Sequence, residues 1–170
     1  MKVIAYDPYL TAEEIAARGG EKVELDDLMR RSDFVSISCP LSKDNRRMIG
    51  AQQFALMQPH AFFITTARGF IHDEAALYDA LRDKRIAGAG LDVWDKEPPP
   101  PDHPLLQFDN VLASPHTAGV TKEARVNMGK IAAEQILDAL DGKRPPRIVN
   151  PEVWPAYAKR FERAFGFTPK

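Results

Sequence analysis

The chain has 170 residues, with 23 basic and 24 acidic side chains that leave a net charge of −1. At this length a single domain, with or without a small appendage, buries about 70% of the surface of the unfolded chain, so it needs no disulfide or metal ion for stability. A content of 44% hydrophobic and 28% charged residues is typical of a globular protein and excludes a disordered chain. The balanced charge lacks the basic surface of a nucleic-acid-binding protein, so we expect no nucleic-acid partner.

Cysteine usage and the lack of long apolar runs indicate the compartment. The only cysteine, Cys39, has no partner for an internal disulfide, and the N-terminus lacks the apolar stretch of a signal peptide. No apolar run approaches the ~18 residues of a membrane span. We therefore expect a cytoplasmic protein with no membrane partner, and we predict no metal site.

Short β-rich segments recur along the first two thirds of the chain. The first, over 2–7, ends at Pro8, which has no N–H for a strand ladder. The segment over 34–38 alternates apolar and small polar residues, which is typical of a strand. The run over 61–66 is almost continuously apolar and β-branched, which predicts a strand covered on both faces. Two further strands are predicted over 86–93 and 110–114.

Helical patterns lie between and after these strands. Thr11 and Glu14 have the spacing of a capping box, which predicts a helix over 12–18 that ends at Gly19 and Gly20. Further helices are predicted over 25–31, 51–57, 73–84 and about 121–140. In the helix over 73–84 the apolar residues Ala76, Leu77, Ala80 and Leu81 are spaced so that they lie on one stripe of the helix.

Strands that alternate with helices over short connections predict a parallel sheet with helices on both faces and right-handed crossovers. Ligands bind such sheets at the carboxyl ends of the strands. The candidates for a functional site are therefore the residues that follow the predicted strands, namely Asp7, Cys39, Pro40, Arg68, residues 92–97 and His116.

Asp7 is a candidate for binding a nucleotide. A carboxylate at the end of a strand can accept hydrogen bonds from both hydroxyls of an adenosine ribose and repels a 2′-phosphate, which favours NAD over NADP. The alternative is an ordinary turn aspartate before Pro8. The Gly-rich turn that should precede such an aspartate by ~20 residues is not in this chain.

Arg68, Glu97 and His116 are candidates for the chemistry. A guanidinium binds a carboxylate through two parallel hydrogen bonds, although a solvated surface arginine is an equal alternative for Arg68. An imidazole is the usual general acid or base near neutral pH, and a carboxylate on its far nitrogen holds the tautomer. The other histidines lie beside turn or helix-start residues and are interpreted as surface groups: His60, His72 and His103.

Three segments resemble one known family, the D-isomer-specific 2-hydroxyacid dehydrogenases, which include phosphoglycerate dehydrogenase and the glyoxylate and hydroxypyruvate reductases. They are TTARG at 65–69, AGLDVWDKEP at 89–98 and SPHTAG at 114–119. The resemblance extends from the first predicted strand to about Asn150.

The resemblance implies an NAD-dependent oxidoreductase that interconverts a 2-oxo acid and a D-2-hydroxy acid. It implies that Arg68 binds the substrate carboxylate and carbonyl, that His116 donates the proton during carbonyl reduction, and that Glu97 is the carboxylate partner of His116. Formate is disfavoured because formate dehydrogenases have an amide at the position of Glu97. The implied cofactor-binding residues are Asp7, Cys39, Pro40, Thr66, Ala67, Asp92, Ala118 and Gly119.

Compared with that family, the chain begins at what resembles the second strand of the cofactor domain. The expected fold is therefore an incomplete Rossmann-like, doubly wound parallel sheet without its first strand and Gly-rich turn. We expect residues 1–120 to form a partial NAD-binding domain, 121–142 an interdomain helix and 143–170 a C-terminal segment of the substrate domain. Without the Gly-rich turn, we expect this chain alone to bind the cofactor weakly.

Three hypotheses for the function follow. The chain is a dehydrogenase, acting as a homodimer or with a complementary N-terminal polypeptide; or it is a catalytically silent fragment; or it is an association module on the same scaffold. Retention of Arg68, Glu97 and His116 together favours descent from an enzyme over an association module, because association does not need them.

Overall fold

The structure is a computed structural model that describes residues 1–169. The chain forms two compact units, the first of which is Met1–Ala118 and the second of which begins at Gly119. The first unit contains six strands and four helices: β1 (Ile4–Ala5), α1 (Ala12–Ala16), β2 (Glu21–Lys22), α2 (Leu25–Arg31), β3 (Phe34–Ile37), α3 (Ala51–Leu56), β4 (Phe62–Thr65), α4 (Glu74–Arg82), β5 (Gly88–Leu91) and β6 (Val111–Ala113). The second contains α5 (Lys122–Leu140) and α6 (Trp154–Phe165).

All strand pairs of the first unit are parallel, which confirms the predicted α/β class. Strands β3, β4, β5 and β6 form one sheet in chain order, while β1 pairs only with β2 in a separate two-stranded sheet. In the larger sheet Ile37, Thr65 and Leu91 lie side by side near the carboxyl ends. The residues that follow these strands are thereby brought to one edge, where ligands bind parallel α/β sheets.

Local sequence signals account for the first helices. The Thr11 side chain accepts a hydrogen bond from the Glu14 amide, and the Glu14 carboxylate accepts one from the Thr11 amide, so the predicted capping box is confirmed. In α4 the predicted apolar stripe is buried at Leu77, Ala80 and Leu81. These residues join Val35, Phe63 and the other inward residues of the sheet in one hydrophobic core.

The opposite face of the four-stranded sheet is open. Phe34 and Phe62, which lie opposite each other on β3 and β4, are 63% and 39% exposed and stack with ring centroids 5.6 Å apart. Leu112 on β6 is 82% exposed. The prediction that β4 is covered on both faces is therefore wrong: its apolar run reflects one buried face, with Phe63 and Thr65, and one face that is only partly covered at Phe62 and Ile64.

The second unit contains the long predicted helix and one that was not predicted. Helix α5 begins as expected at Thr121, whose hydroxyl accepts the Ala124 amide at 3.0 Å. Helix α6 contacts its neighbour through the Tyr157 hydroxyl, which donates to the Ala139 carbonyl of α5 at 2.6 Å. Among residues 1–169 we find no helix that is both long and apolar enough to cross a lipid bilayer.

Candidate active site

His116 and Glu97 lie in direct contact, as expected for an acid/base pair. His116 Nδ1 is 2.7 Å from Glu97 Oε2, and both side chains are partly open to solvent. Glu97 Oε1 accepts a second hydrogen bond, from the Trp94 amide at 3.0 Å. Desolvation acts to raise the pKa of Glu97, but the hydrogen bonds from His116 and Trp94 outweigh it and hold that pKa below its ordinary value.

The ionisation of Glu97 determines the tautomer of His116. An ionised carboxylate only accepts hydrogen bonds, so Nδ1 of His116 carries a proton and donates it to Glu97. Nε2 is then the nitrogen that can exchange a proton with a ligand. The pair therefore has the arrangement that a general acid or base requires.

A second carboxylate, Asp92, holds the turn on which His116 lies. The His116 amide donates to the Asp92 carbonyl at 2.7 Å, and His116 adopts a left-handed backbone conformation with φ of 58°. The Asp92 side chain, which is 4% exposed, accepts hydrogen bonds from the Ser114 hydroxyl at 2.6 Å, the Thr117 amide at 2.7 Å and the Ala118 amide at 3.0 Å. The turn from Ser114 to Ala118 is thus tied to the end of β5.

The same hydrogen bonds keep Asp92 ionised. Burial acts to raise the pKa of Asp92, but the hydroxyl of Ser114 and the amides of Thr117 and Ala118 together lower it below its ordinary value. Both carboxylate oxygens accept hydrogen bonds from the chain itself. The role of Asp92 in binding the cofactor stays a prediction.

Several of the predicted cofactor-binding residues line one open cleft of about 590 Å³ at the carboxyl ends of β3 and β4. This volume is within the range typical of small-molecule sites. Arg68 lies at this cleft, and its guanidinium donates to the neighbouring Ala67 carbonyl at 2.6 Å. The lining residues are Ser38, Cys39, Pro40, Leu41, Thr66, Ala67 and Arg68.

One wall of this cleft is ordered by Asn45, a residue that the sequence analysis did not identify. The Asn45 amide nitrogen donates to the Pro40 carbonyl at 2.7 Å and lies 3.6 Å from Cys39 Sγ. Its amide oxygen accepts the Ser42 backbone amide at 2.8 Å. The spacing of Ser42 and Asn45, which matches a polar turn, is the signal that could have identified it.

Four of the eight predicted cofactor-binding residues are not part of the cleft lining, namely Asp7, Asp92, Ala118 and Gly119. Asp7 follows strand β1 of the two-stranded sheet. Its Oδ1 accepts the Tyr9 amide at 2.8 Å, which is the turn geometry expected of an aspartate before Pro8. Gly119 begins the second unit of the chain. The roles of Asp7 and Gly119 toward a cofactor stay predictions.

Two of the three other histidines are not surface groups. His60 is exposed, as predicted. His72 is 1% exposed and packs against Phe63, and only 16% of the His103 side chain is exposed. The interpretation of His72 and His103 as surface groups is wrong because their burial depends on distant residues that fold over them.

A parallel α/β unit with a cleft at the carboxyl ends of its strands has the Rossmann-like architecture of nucleotide-binding domains. Comparison with known sequences gives the family within this class. Residues 1–118 match the family described as "D-isomer specific 2-hydroxyacid dehydrogenase, NAD binding domain". The chain therefore belongs to the D-isomer specific 2-hydroxyacid dehydrogenases, and its first unit corresponds to their NAD-binding domain.

Curated relatives agree with this assignment. The chain is 41% identical over 157 residues to a D-3-phosphoglycerate dehydrogenase of Archaeoglobus fulgidus, which covers 92% of the chain and 30% of that protein. It is also 41% identical to a glyoxylate reductase of Korarchaeum cryptofilum over 153 residues, and this alignment covers 90% of the chain and 46% of that protein. The chain thus spans less than half the length of these two relatives.

Solved structures show the same fold. The D-lactate dehydrogenase with NAD+ from Lactobacillus jensenii is similar with a TM-score of 0.79 and 33% identity, over 87% of this chain and 48% of that one. The NAD-complexed D-isomer specific 2-hydroxyacid dehydrogenase from Lactobacillus delbrueckii ssp. bulgaricus gives a TM-score of 0.78 and 34% identity, over 88% and 49%.

Proposed function

We propose that the chain provides the cofactor-binding and acid/base part of an NAD-dependent dehydrogenase that interconverts a 2-oxo acid and a D-2-hydroxy acid. The observation that carries the proposal is the 2.7 Å contact between His116 and Glu97, together with the turn that Asp92 holds around His116. These groups lie in the first unit, which matches the NAD-binding domain of the family.

Arg68 is proposed to bind and orient the substrate. Its guanidinium lies at the cleft beyond β4 and presents donors in the fork geometry that matches a carboxylate. Such pairing places the adjacent carbonyl in one orientation, which lowers the entropic part of the reaction barrier.

His116 is proposed to supply the proton at the carbonyl oxygen. Because Glu97 binds Nδ1, the proton that His116 transfers resides on Nε2 of the imidazolium. The Glu97 carboxylate stabilises the imidazolium until this proton is transferred. In the reverse direction the neutral Nε2 takes the hydroxyl proton of the 2-hydroxy acid.

The cleft is proposed to hold NAD, which supplies or accepts the hydride when it is bound. Its volume of about 590 Å³ is typical of a ligand site. Its lining also resembles that of ligand sites, since Pro40 and Leu41 supply apolar surface and Thr66 supplies a polar group. Asp7 and Cys39 are proposed to face the adenosine, and Asp92, Ala118 and Gly119 the nicotinamide.

A second chain is proposed to complete the active protein. Parallel sheets are almost always covered on both faces, and the exposed pair Phe34 and Phe62 leaves one face of this sheet open. We propose a second copy of this chain as the occupant, with a complementary polypeptide as the alternative.

Steady-state kinetics test the proton donor. The full chain, alone and with a complementary N-terminal polypeptide of a relative, is assayed for NADH oxidation with hydroxypyruvate and with glyoxylate. We expect His116→Gln to lower kcat by about 10²-fold or more, as removal of a general acid does. The matched control is His60→Gln, since His60 is exposed and pairs with an exposed aspartate, Asp33.

Two outcomes contradict the proposal. One is a His116→Gln variant that turns over at the wild-type rate. The other is a wild-type chain that reduces neither substrate under either condition while remaining folded by circular dichroism.

A further inference from the structure

A second histidine–carboxylate pair lies behind the loop that carries Glu97. It consists of Glu74, the first residue of α4, and His103, whose side chains are only 15% and 16% exposed. His103 Nε2 is 3.3 Å from Glu74 Oε2, and His103 Nδ1 accepts the Leu105 amide at 3.3 Å. Because Nδ1 is an acceptor, the ring proton lies on Nε2, which donates it to Glu74.

The other oxygen of Glu74 holds the backbone of the loop. Glu74 Oε1 accepts the Asp95 amide at 2.8 Å. The Asp95 carboxylate in turn accepts the Phe70 amide at 2.7 Å and pairs with Arg47 at 2.6 Å. The loop after β5 is therefore tied both to the start of α4 and to the loop after β4, which carries Arg68.

Trp94 connects this network to the predicted acid/base pair. The His103 ring packs edge-on against the Trp94 indole, with centroids 5.2 Å apart, and Trp94 is 2% exposed. The Trp94 amide donates to Glu97 Oε1 at 3.0 Å, and its indole nitrogen donates to the Ser114 carbonyl at 2.9 Å. Trp94 thus contacts both segments that carry the pair, one holding Glu97 and the other holding His116.

We propose that Glu74 and His103 are positioning residues for Glu97 and His116: they hold Trp94 and Asp95 in place, and the Trp94 amide in turn orients the Glu97 carboxylate toward the imidazole. The inference rests on the proposed function, because the orientation of Glu97 and His116 affects the reaction only if these two residues are catalytic. Hydrogen-bonded networks that are largely shielded from solvent, as this one is, hold one arrangement of a loop.

A titration of Glu97 tests the proposal without any turnover. Glu74→Ala removes the acceptor of both Asp95 and His103, so the Trp94 amide is no longer held against Glu97. We expect the pKa of Glu97, measured by carbon-detected NMR on the full chain and assigned with Glu97→Gln, to rise by about one unit, the size expected for loss of one hydrogen bond to a charged group.

The matched control is Asp79→Ala. Asp79 lies on the same helix, is exposed and pairs with Arg82, so this variant removes a carboxylate from α4 without touching the network. We expect it to leave the pKa of Glu97 unchanged.

Two milder variants decide the question if Glu74→Ala does not fold. Glu74→Gln can accept from only one of its two partners, because its amide nitrogen is a donor. His103→Asn can still accept the Leu105 amide but loses the ring that contacts Trp94. We expect both variants to raise the pKa of Glu97. If the pKa of Glu97 in both variants equals its pKa in Asp79→Ala, the proposal is overturned.

Kinetics provide a second measurement. In the active protein we expect Glu74→Gln to lower kcat about tenfold with KM nearly unchanged, because orientation of the acid/base pair changes while substrate binding does not. A wild-type chain without turnover contradicts the proposed function but leaves the titration readable, so the two failures are distinguishable.

Discussion

At the scale of single residues, backbone strain is concentrated around the candidate site. Four of the described residues other than glycine have positive φ: Arg47, Phe70, Lys84 and His116. Arg47 and Phe70 both contact Asp95, and His116 is the predicted proton donor. Strained conformations persist only where surrounding contacts hold them. The hydrogen bonds of Asp92 and Asp95 are those contacts here.

A buried histidine makes the stability of the fold depend on pH. Both ring nitrogens of His72 lack a hydrogen-bond partner among the described residues. Burial lowers the pKa of His72 from 6.5 to about 4. The charge of Arg47 also lowers it, while the charges of Asp95 and Asp73 act to raise it. Between these values the unfolded chain takes up a proton that the folded chain does not, so stability falls as the pH falls from 6.5 towards 4.

We expect His72 to contribute up to about 3 kcal/mol to this loss, since one pKa unit corresponds to about 1.4 kcal/mol. Urea unfolding of the wild type and of His72→Leu from neutral pH to pH ~4.5 measures it. The variant should show a shallower decline, and His60→Leu, at an exposed position, should decline like the wild type. Equal slopes for His72→Leu and the wild type would show that His72 does not carry the effect.

At the scale of elements, the loops after β4 and β5 approach each other at Gly69. A Cβ atom added there would lie 2.1 Å from the Trp94 carbonyl oxygen and 2.6 Å from its carbon, closer than real Cβ contacts. Both atoms are backbone and cannot rotate away. Glycine at this position therefore allows the loop of Arg68 to pack directly on the loop of Glu97.

Gly69→Ala is expected to destabilise the fold by about 3 kcal/mol, at the upper end for overpacking, because the two loops must separate. Gly129→Ala is the control: nothing lies within 4 Å of the added methyl group in α5, and alanine favours a helix by ~1 kcal/mol. Chemical denaturation of both variants should therefore give changes of opposite sign. A Gly69→Ala protein as stable as the wild type would refute the close packing of the loops.

Elements specified by neighbouring residues could be predicted, whereas those that depend on distant contacts could not. The Thr11 capping box and the α4 stripe are local patterns, and both are confirmed. The two-residue strand β2 has too few residues for any periodicity. Helix α6 was missed, although Pro155 in its first turn and Gly166 at its end, with φ of 78°, are signals that could have identified it.

The candidate site shows the same limit. The contact of Glu97 with His116 was expected from the chemistry of the two residue types and from the family resemblance. The support from Trp94, Glu74 and His103 was not expected. These residues come from the loop after β5, the start of α4 and the loop before β6, and they meet only in the folded chain.

At the scale of the whole molecule, the open sheet face is the surface through which we expect the chain to associate. Phe34 and Phe62 form a stacked apolar pair on a sheet that normally has helices on both faces. Burial of apolar surface favours association by roughly 25 cal/mol per Å². Aromatic side chains are large, so the exposed parts of Phe34 and Phe62 offer apolar surface that a second chain can bury. We therefore expect the chain to self-associate through this face.

The double variant Phe34→Ser with Phe62→Thr should shift the protein towards monomer in sedimentation velocity over a concentration series, and should lower binding of a hydrophobic dye. Tyr9→Ser is the control, since Tyr9 is 84% exposed but is not part of the sheet. A wild-type chain that is monomeric at all concentrations, and dimerises only when a complementary polypeptide is added, would make that polypeptide the occupant of the face. If the double variant associates as the wild type does, the contact between copies lies elsewhere on the molecule.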